Sequence, residues 1–274
     1  MSKSLLLALK PDPHQESLVA YAVALARRQG LAVDARSVID LRRLAPAEAV
    51  PMGAAAYKAD RDELRLAEAR RHAAELIQQV AATAALQQVE CQAEVREGDT
   101  VEVLAGAVRR CDFLLCGHTP GGDASERSLL YAFLRQSARP ALIVPRGAVA
   151  DGGSTLVAYD GSAQAARALA SFVHSGLGVG RPVHVTTFSD DLERASDELR
   201  EAEVFLTRHG LACTATVQPL VASPLQLILE EAQRVAARLL VMGSFGRSVV
   251  QEFFLGSVTR SILEQLPLPV FLDH

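Results

Sequence analysis

The sequence predicts an α/β protein made of two tandem copies of one domain, each with helices on both faces of a mostly parallel sheet. Short apolar runs alternate with amphipathic stretches of helical periodicity along all 274 residues. The order of these segments occurs twice. Between the copies, Arg146–Ser154 reads RGAVADGGS, a Gly/Ala-rich linker without apolar periodicity. We therefore expect one domain over residues 1–147 and a second over residues 153–274.

In the first half, compact apolar runs predict strands, and apolar residues that recur every three or four positions predict helices. The helix near Glu16 illustrates the second pattern, because Leu18, Ala22 and Leu25 fall on one of its faces. The predicted elements are strand Leu5–Leu9, helix Glu16–Gln29, strand Ala32–Ile39, helix Arg61–Leu86, strand Glu90–Arg96, helix Thr100–Arg109, strand Phe113–Cys116, helix Ser128–Gln136 and strand Ala141–Val144.

The second half repeats this order. Its first helix comes after Asp160-Gly161-Ser162, and Asp and Ser are favoured at helix N-caps. The predicted elements are strand Thr155–Tyr159, helix Ala165–His174, strand Val183–Phe188, helix Leu192–His209, strand Thr214–Leu220, helix Leu225–Ala236, strand Leu239–Met242, a helix that opens at Ser257, and strand Pro269–Leu272.

Composition and charge argue against several classes of function. An apolar content of 49% and a charged content of 22% are typical of a soluble protein with packed cores. The net charge of −4, without a basic stripe, argues against nucleic-acid binding. No apolar run approaches the roughly 20 residues of a membrane span. The four cysteines lack metal-binding spacing, so we interpret them as small core residues and expect a reducing, cytoplasmic setting.

The most informative stretch is Gly243–Ser257, GSFGRSVVQEFFLGS, which we call the glycine segment. It leaves a predicted strand and ends where a predicted helix begins. Glycine lets main-chain N–H groups approach a ligand closely, and a helix N-terminus adds unpaired donors and the positive end of the helix dipole. Together these features predict an anion site, most often for phosphate. A surface turn followed by a Ser-capped helix is the alternative interpretation.

The G-x2-G-x9-G-S spacing of Gly243, Gly246, Gly256 and Ser257 resembles the ATP-binding signature of the universal stress protein family. The resemblance covers nearly the whole chain as a tandem of two doubly wound domains, strong in the second half and weak in the first. It implies five strands per domain in the order 3-2-1-4-5, with a ligand crevice beyond the carboxyl ends of strands 1 and 4. It also implies ATP as the ligand, with or without Mg²⁺.

The same resemblance implies that Asp160, at the end of the first strand of the second half, contacts the ribose or the adenine. A helix-capping role for Asp160 is compatible with that contact. The main chain near Phe188 is expected to hold the nucleoside as well. The further expected contacts of the nucleotide are Met242, Arg247, Ser248 and Val258.

The first half lacks this pattern. Its equivalent loop, Gly117–Ser128, has Arg127 at the position of the third signature glycine, and Lys10 stands at the position of Asp160. Two interpretations are open. The first half is a structural domain that supports its partner, or it binds a different anion through charge-assisted hydrogen bonds from Arg127 and Lys10. We assign no role to His118.

Catalytic patterns are sparse, since the chain has no HExxH or G-x-S-x-G motif and the glycine segment has no lysine. Three function classes remain: a regulatory protein that binds ATP as a switch ligand, a slow ATPase or phosphotransferase, and a scaffold with a vestigial site. The intact signature favours binding over the scaffold. The lack of an assigned general base favours binding over turnover, so we expect weak ATP hydrolysis at most.

The sequence identifies no protein partner. In the resembled family the last strands of two domains pair across a dimer axis, and the equivalent strands here are Ala141–Val144 and Val270–Leu272. The resemblance therefore implies a pseudo-dimer of the chain's own two halves. It leaves further homodimerisation open.

Overall fold

A computed structural model of the chain describes residues 3–48, 51, 53–119, 124–150, 152–244, 257–265 and 268–273. In the first half the predicted alternation of strands and helices is present. The elements are β1 Ser4–Leu9, α1 Glu16–Gln29, β2 Ala32–Ile39, α2 Leu41–Leu44, α3 Ala55–Leu86, β3 Cys91–Glu97, α4 Thr100–Val108, β4 Phe113–His118, α5 Ala124–Gln136 and β5 Ala141–Pro145, with a 3-10 turn at Pro13–Gln15.

The second half repeats the alternation. Its elements are β6 Ser154–Ala158, α6 Ala163–Ser175, β7 Val183–Ser189, α7 Leu192–Arg208, β8 Cys213–Pro219, α8 Pro224–Arg234, β9 Ala237–Gly243, α9 Ser257–Gln265 and β10 Val270–Asp273. The two halves thus confirm the predicted α/β fold class with two repeated domains.

Three elements of the first half differ from the prediction, and one of them, α5, begins at Ala124 rather than near Ser128. The short helix α2 was not predicted, and its N-cap is Asp40, whose side chain accepts a hydrogen bond from the main-chain N–H of Arg43. Helix α3 begins at Ala55 rather than near Arg61. Alanine has the highest helix propensity, and an ion pair between Lys58 and Asp62, one turn apart, supports these added turns.

The chain forms two compact units. The first consists of Met1–Gly117 and Ser128–Ala138. Within it the strand order is β3-β2-β1-β4, and the strands pair in parallel. Leu5, Leu6 and Leu7 are fully buried in succession, as expected for a parallel strand that is covered on both faces.

The second unit consists of His118–Arg127 and Arg139–His274. Its strand order is β5-β10-β9-β6-β7-β8, so the strands of the second domain have the predicted order 3-2-1-4-5. They pair in parallel, whereas β10 pairs with β5 in antiparallel orientation, with Phe271 opposite Leu142. Phe271 is fully buried and meets Phe172 edge-on, with ring centroids 6.3 Å apart. The edge of β10 is therefore covered by β5.

The cysteine thiols are free in this fold, and burial raises the pKa of each one. They are therefore protonated and weakly nucleophilic near neutral pH. Within the described residues, no helix has the length and apolar character needed to cross a membrane.

Candidate functional site

The site lies at the carboxyl ends of β6 and β9, which are neighbouring parallel strands. Ala158 pairs with Met242, so the next residues along the two strands, Tyr159 and Gly243, lie side by side. Asp160 comes next along the chain. The structure thus brings Asp160, Met242 and Gly243 to one edge of the sheet, at the point where the strand order reverses direction.

Gly243 is a point of close approach between β9 and the start of α6. A Cβ atom built on Gly243 would lie 2.8 Å from the carbonyl carbon of Gln164 and 2.9 Å from the main-chain nitrogen of Ala165. Those are main-chain atoms, which cannot rotate away as the tip of a side chain can. A glycine is therefore required here for the first turn of α6 to lie against the end of β9.

Asp160 and Ser162 shape the start of α6. The Asp160 carboxylate accepts a hydrogen bond from the Ser162 N–H at 3.0 Å through Oδ1, and the Ser162 hydroxyl accepts one from the Ala165 N–H at 3.1 Å. Ser162 is thus the N-cap, and Asp160 fixes the turn before it. The Asp160 carboxylate is half-buried, and Oδ1 is the oxygen that accepts from Ser162.

The end of β7 lies beside this turn and carries Phe188, which is half-buried. The neighbouring Thr187 donates its hydroxyl to the main-chain carbonyl of Tyr159 at 2.7 Å, while the Tyr159 N–H donates to the Thr186 carbonyl at 3.0 Å. Thr187 was not among the residues predicted for the site. Its only signal is a hydroxyl in a strand that also contains His184, Thr186 and Ser189, and this does not reveal the partner. The bond holds the main chain directly before Asp160.

Helix α9 begins next to the end of β9. Thr259, in its first turn, donates its hydroxyl to the main-chain carbonyl of Ser244 at 3.1 Å, and the Ser244 N–H donates to the Asp273 carbonyl at 2.8 Å. Val258 is half-buried, and Ile262 is fully buried. The N-terminus of α9, where Ser257 is the first residue, therefore lies close to Gly243.

The remaining predicted contacts cannot be located in the same way. Gly246, Arg247, Ser248 and Gly256 lie outside the described residues. The described residues contain no group of three or more His, Cys, Asp and Glu side chains that could hold a metal ion.

His118, to which we assigned no role from its sequence position, contacts the other end of α9. Its Nε2 lies 2.8 Å from the main-chain carbonyl of Leu263. A carbonyl only accepts, so Nε2 carries the proton and donates. A donor near the last turn of a helix satisfies a carbonyl that has no partner within the helix.

A buried carboxylate lies one strand away from the site. Glu231 of α8 is 3% exposed and accepts hydrogen bonds from Thr186, Gln218 and Arg234. The Arg234 guanidinium, together with the Gln218 and Thr186 donors, holds the pKa of Glu231 below its ordinary value against the opposing effect of burial. This network joins α8 to β7 and β8.

The fold and this edge define a tandem, doubly wound α/β protein with two helix N-termini at the switch point of its second half. The model of the universal stress protein family matches residues 1–145 and 154–274. The chain therefore belongs to the universal stress protein family.

Relatives agree with this assignment. The chain is 29% identical over 139 residues to universal stress protein Slr1230 of Synechocystis sp., a match that covers 50% of this chain and 47% of that protein. The chain thus spans about half the length of this curated relative.

Two solved structures resemble the whole chain in fold. A universal stress protein from Archaeoglobus fulgidus DSM 4304 has a TM-score of 0.73 at 22% identity, covering 99% of this chain and 98% of its own. A putative universal stress protein from Pseudomonas aeruginosa UCBPP-PA14 has a TM-score of 0.58 at 17% identity, covering 99% and 92%.

Proposed function

We propose that the C-terminal half binds ATP at the carboxyl ends of β6 and β9, and that the nucleotide acts as a regulatory ligand in a stress response. The observation that supports this most is the convergence of two helix N-termini, those of α6 and α9, on either side of Gly243. Main-chain N–H groups at helix N-termini favour phosphate. Gly243 allows the first turn of α6 to lie against the end of β9.

The proposed contacts divide between phosphates and nucleoside. Main-chain N–H groups of the glycine segment and of Ser257 would bind the phosphates, together with Arg247 and Ser248. The second carboxylate oxygen of Asp160 would accept a ribose hydroxyl, beside the main chain near Phe188. If Mg²⁺ accompanies the phosphates, phosphate oxygens and water would supply most of its ligands. Met242 and Val258 would line the two ends of the segment.

A regulatory role fits these groups better than rapid turnover. Main-chain donors bind the ground state and the transition state about equally, so they tighten binding without raising the catalytic rate. Efficient phosphoryl transfer combines several positioned catalytic groups. Asp160, the carboxylate placed at this edge, already accepts from Ser162 and would face the nucleoside.

The central test is Gly256→Arg, which copies the residue that the first half has at this position. Calorimetry should detect ATP binding to the unaltered protein and none to the variant, while circular dichroism shows that the fold is kept. Gly106→Arg is the matched control, because a side chain at Gly106 in α4 would meet open space. It should bind ATP normally. Unchanged affinity in Gly256→Arg would overturn the proposal.

The role of Asp160 is tested with Asp160→Asn and Asp160→Ala. Asparagine keeps an acceptor for the Ser162 N–H but removes the charge, so α6 should stay capped while ATP binds about tenfold more weakly. Alanine should weaken binding and lower the melting temperature as well. Equal ATP affinity in the Asn variant and the unaltered protein would limit Asp160 to capping.

Single-turnover hydrolysis separates the regulatory role from that of a slow enzyme. We expect bound ATP to persist and to slow hydrogen exchange over residues 243–256. Rapid multiple turnover that Arg247→Ala abolishes would make the protein an ATPase or phosphotransferase instead.

A further inference from the structure

We infer that the hydroxyl of Thr259 is a positioning group that fixes the first turn of α9 at the end of β9 before any ligand binds. This inference rests on the proposed nucleotide site, because α9 would supply part of the phosphate contacts. Thr259 would not touch the nucleotide. It would act through the main chain of Ser244.

The contact is buried and directional. Thr259 is 2% exposed and Ser244 is 3% exposed, and 3.1 Å separates the threonine Oγ1 from the serine carbonyl oxygen. Water does not compete for a hydrogen bond at such depth, and the low local dielectric strengthens it. The bond therefore resists the small sliding motions that apolar contacts permit.

Ser244 is itself fixed, so the bond transmits a defined position. Its N–H donates to the carbonyl of Asp273 at the end of β10. Its own hydroxyl makes no hydrogen bond within the part of the chain that the structure describes. The main chain of Ser244 thus links β10, β9 and the first turn of α9, and the Thr259 hydroxyl is the contact that reaches the helix.

This use of a threonine differs from the common local one. In α3, Thr83 donates its hydroxyl to the carbonyl of Gln79, one turn earlier in the same helix. Thr259 instead reaches a residue on the far side of the glycine segment. Such a bond does little for the helix itself and serves to hold two elements together.

The consequence for binding comes from the positions of Ser244 and Thr259, which flank residues 245–256. The bond between them holds the end of β9 and the first turn of α9 together, so the entropy lost in fixing these two elements is not lost again when the nucleotide binds. The unpaired N–H donors of a helix lie in its first turn, and the position of that turn decides where they point. Removing the hydroxyl should weaken ATP binding without changing any atom that contacts ATP.

The experiment uses the full chain with three substitutions. Thr259→Val keeps the shape and removes the hydroxyl, Thr259→Ser restores a hydroxyl, and Ser154→Ala serves as a stability control. Ser154 donates to the Val235 carbonyl at 2.5 Å and lies at the opposite end of β6 from the site. Each variant is measured by hydrogen exchange of amides 257–263 without ligand, by ATP calorimetry and by thermal unfolding.

Thr259→Val should exchange about tenfold faster in α9 and bind ATP about tenfold more weakly, as expected for one typical hydrogen bond. Thr259→Ser should return both values toward those of the unaltered protein. Ser154→Ala should lower the melting temperature and leave both values unchanged.

Unchanged exchange and affinity in Thr259→Val would overturn the inference. So would a failure of Thr259→Ser to restore them, or an equal loss in Ser154→Ala, because either result reduces the effect to general stability. The proposed function fails separately. If the unaltered chain does not bind ATP while Thr259→Val still speeds exchange in α9, the nucleotide site is wrong and the fixing of α9 stands.

Discussion

The first strands of the two halves pair with their neighbours in the same register, but the segments that follow these strands differ. Leu9 pairs with Ser37 in the first half, and Tyr159 lies beside Thr187 in the second, so Lys10 corresponds to Asp160. Gly117 likewise corresponds to Gly243, because Cys116 and Met242 pair with Ala8 and Ala158. The strands are therefore equivalent up to their last residues, and the difference lies in the helices that come after them.

The start of the next helix differs between the halves. In the second half Ser162 caps α6 directly after the strand, and α6 lies against Gly243. In the first half a 3-10 turn intervenes, and α1 begins without a capping side chain. A Cβ atom on Gly117 would meet only the tip of the Leu18 side chain, at 3.1 Å. An equivalent glycine is thus retained in both halves, while the close approach of main chain to main chain exists in one.

The halves also bury opposite charges next to one equivalent sheet position, a cation on β2 in the first half and an anion on helix α8 in the second. By register, Arg36 of β2 corresponds to Thr186 of β7. Arg36 is 5% exposed and pairs with Asp34 at 2.5 Å and Glu94 at 2.9 Å, whereas Thr186 donates to the buried Glu231. The first half therefore depends on carboxylates to neutralise a cation, and the second on Arg234 to neutralise an anion.

The largest expected effect concerns that buried cation. Arg36→Met should lower the free energy of unfolding of the first unit by about 3–5 kcal/mol, because it leaves Asp34 without its main partner. Arg234→Met should cost less, since the Glu231 carboxylate keeps its Thr186 and Gln218 donors. Urea unfolding of both variants checks the difference. A larger loss for Arg234→Met would reverse our account of the two networks.

Substitution of the paired glycines should have the next largest effect. Gly243→Ala should lower stability by about 1–3 kcal/mol, because the main chain of α6 must shift to admit the methyl group. Gly117→Ala should change it less, since the nearest atom is a Leu18 methyl group at 3.1 Å rather than main chain. The same urea titration measures both, and equal losses would show that the close approach in the second half is not the cause.

A smaller effect is expected for the paired hydroxyls at the ends of β2 and β7. Thr187→Val should cost about 1 kcal/mol, because the Tyr159 carbonyl loses its donor. The Ser37 hydroxyl is buried and has no hydrogen-bond partner within the described residues, so Ser37→Ala should leave stability unchanged or raise it. Thermal unfolding compares them. Destabilisation by Ser37→Ala equal to that by Thr187→Val would contradict the comparison.

The smallest effect is a difference in acid sensitivity. The lowered pKa of Glu231 means that the folded state binds its proton less readily, so its contribution is complete above the ordinary value of 4.5 and is lost as pH falls through the folded pKa. Burial raises the pKa of Asp34, against Arg36 and Arg110, so its contribution is complete below 3.8 and is lost as pH rises through the folded pKa.

From about pH 6 to pH 3, Glu231→Gln should therefore flatten the acid-induced loss of stability, and Asp34→Asn should steepen it. Urea midpoints measured across this range check both slopes. Equal slopes of stability against pH in the two variants would show that Glu231 and Asp34 do not affect the pH dependence in opposite directions.

Much of the fold could be predicted from the sequence. Apolar runs such as Leu239–Met242 mark strands that are buried on both faces, and a parallel sheet brings the ends of such strands to one edge. The convergence of Asp160 with Gly243 is a direct result of that arrangement. Helix α2 and its cap Asp40 could not be predicted, because a helix of four residues has almost no periodicity.

The contacts that hold the candidate site could not be read from the sequence. The Thr187 and Thr259 hydroxyls bond to carbonyls that only the packed sheet brings near. Arg36 is charged and would be placed on the surface by composition alone. The roles of Gly246, Arg247, Ser248 and Gly256 in nucleotide binding stay predictions.

The pairing of β5 with β10 has a consequence for any attempt to study the second half alone. β5 precedes the linker in the sequence, so a fragment that starts at residue 153 would omit its five residues. One side of Val270–Asp273 would then present unpaired N–H and C=O groups, a template for another strand. We expect two such fragments to associate through that edge. The half that we propose to bind ATP thus needs β5, a strand from the other half of the sequence, to cover its last strand.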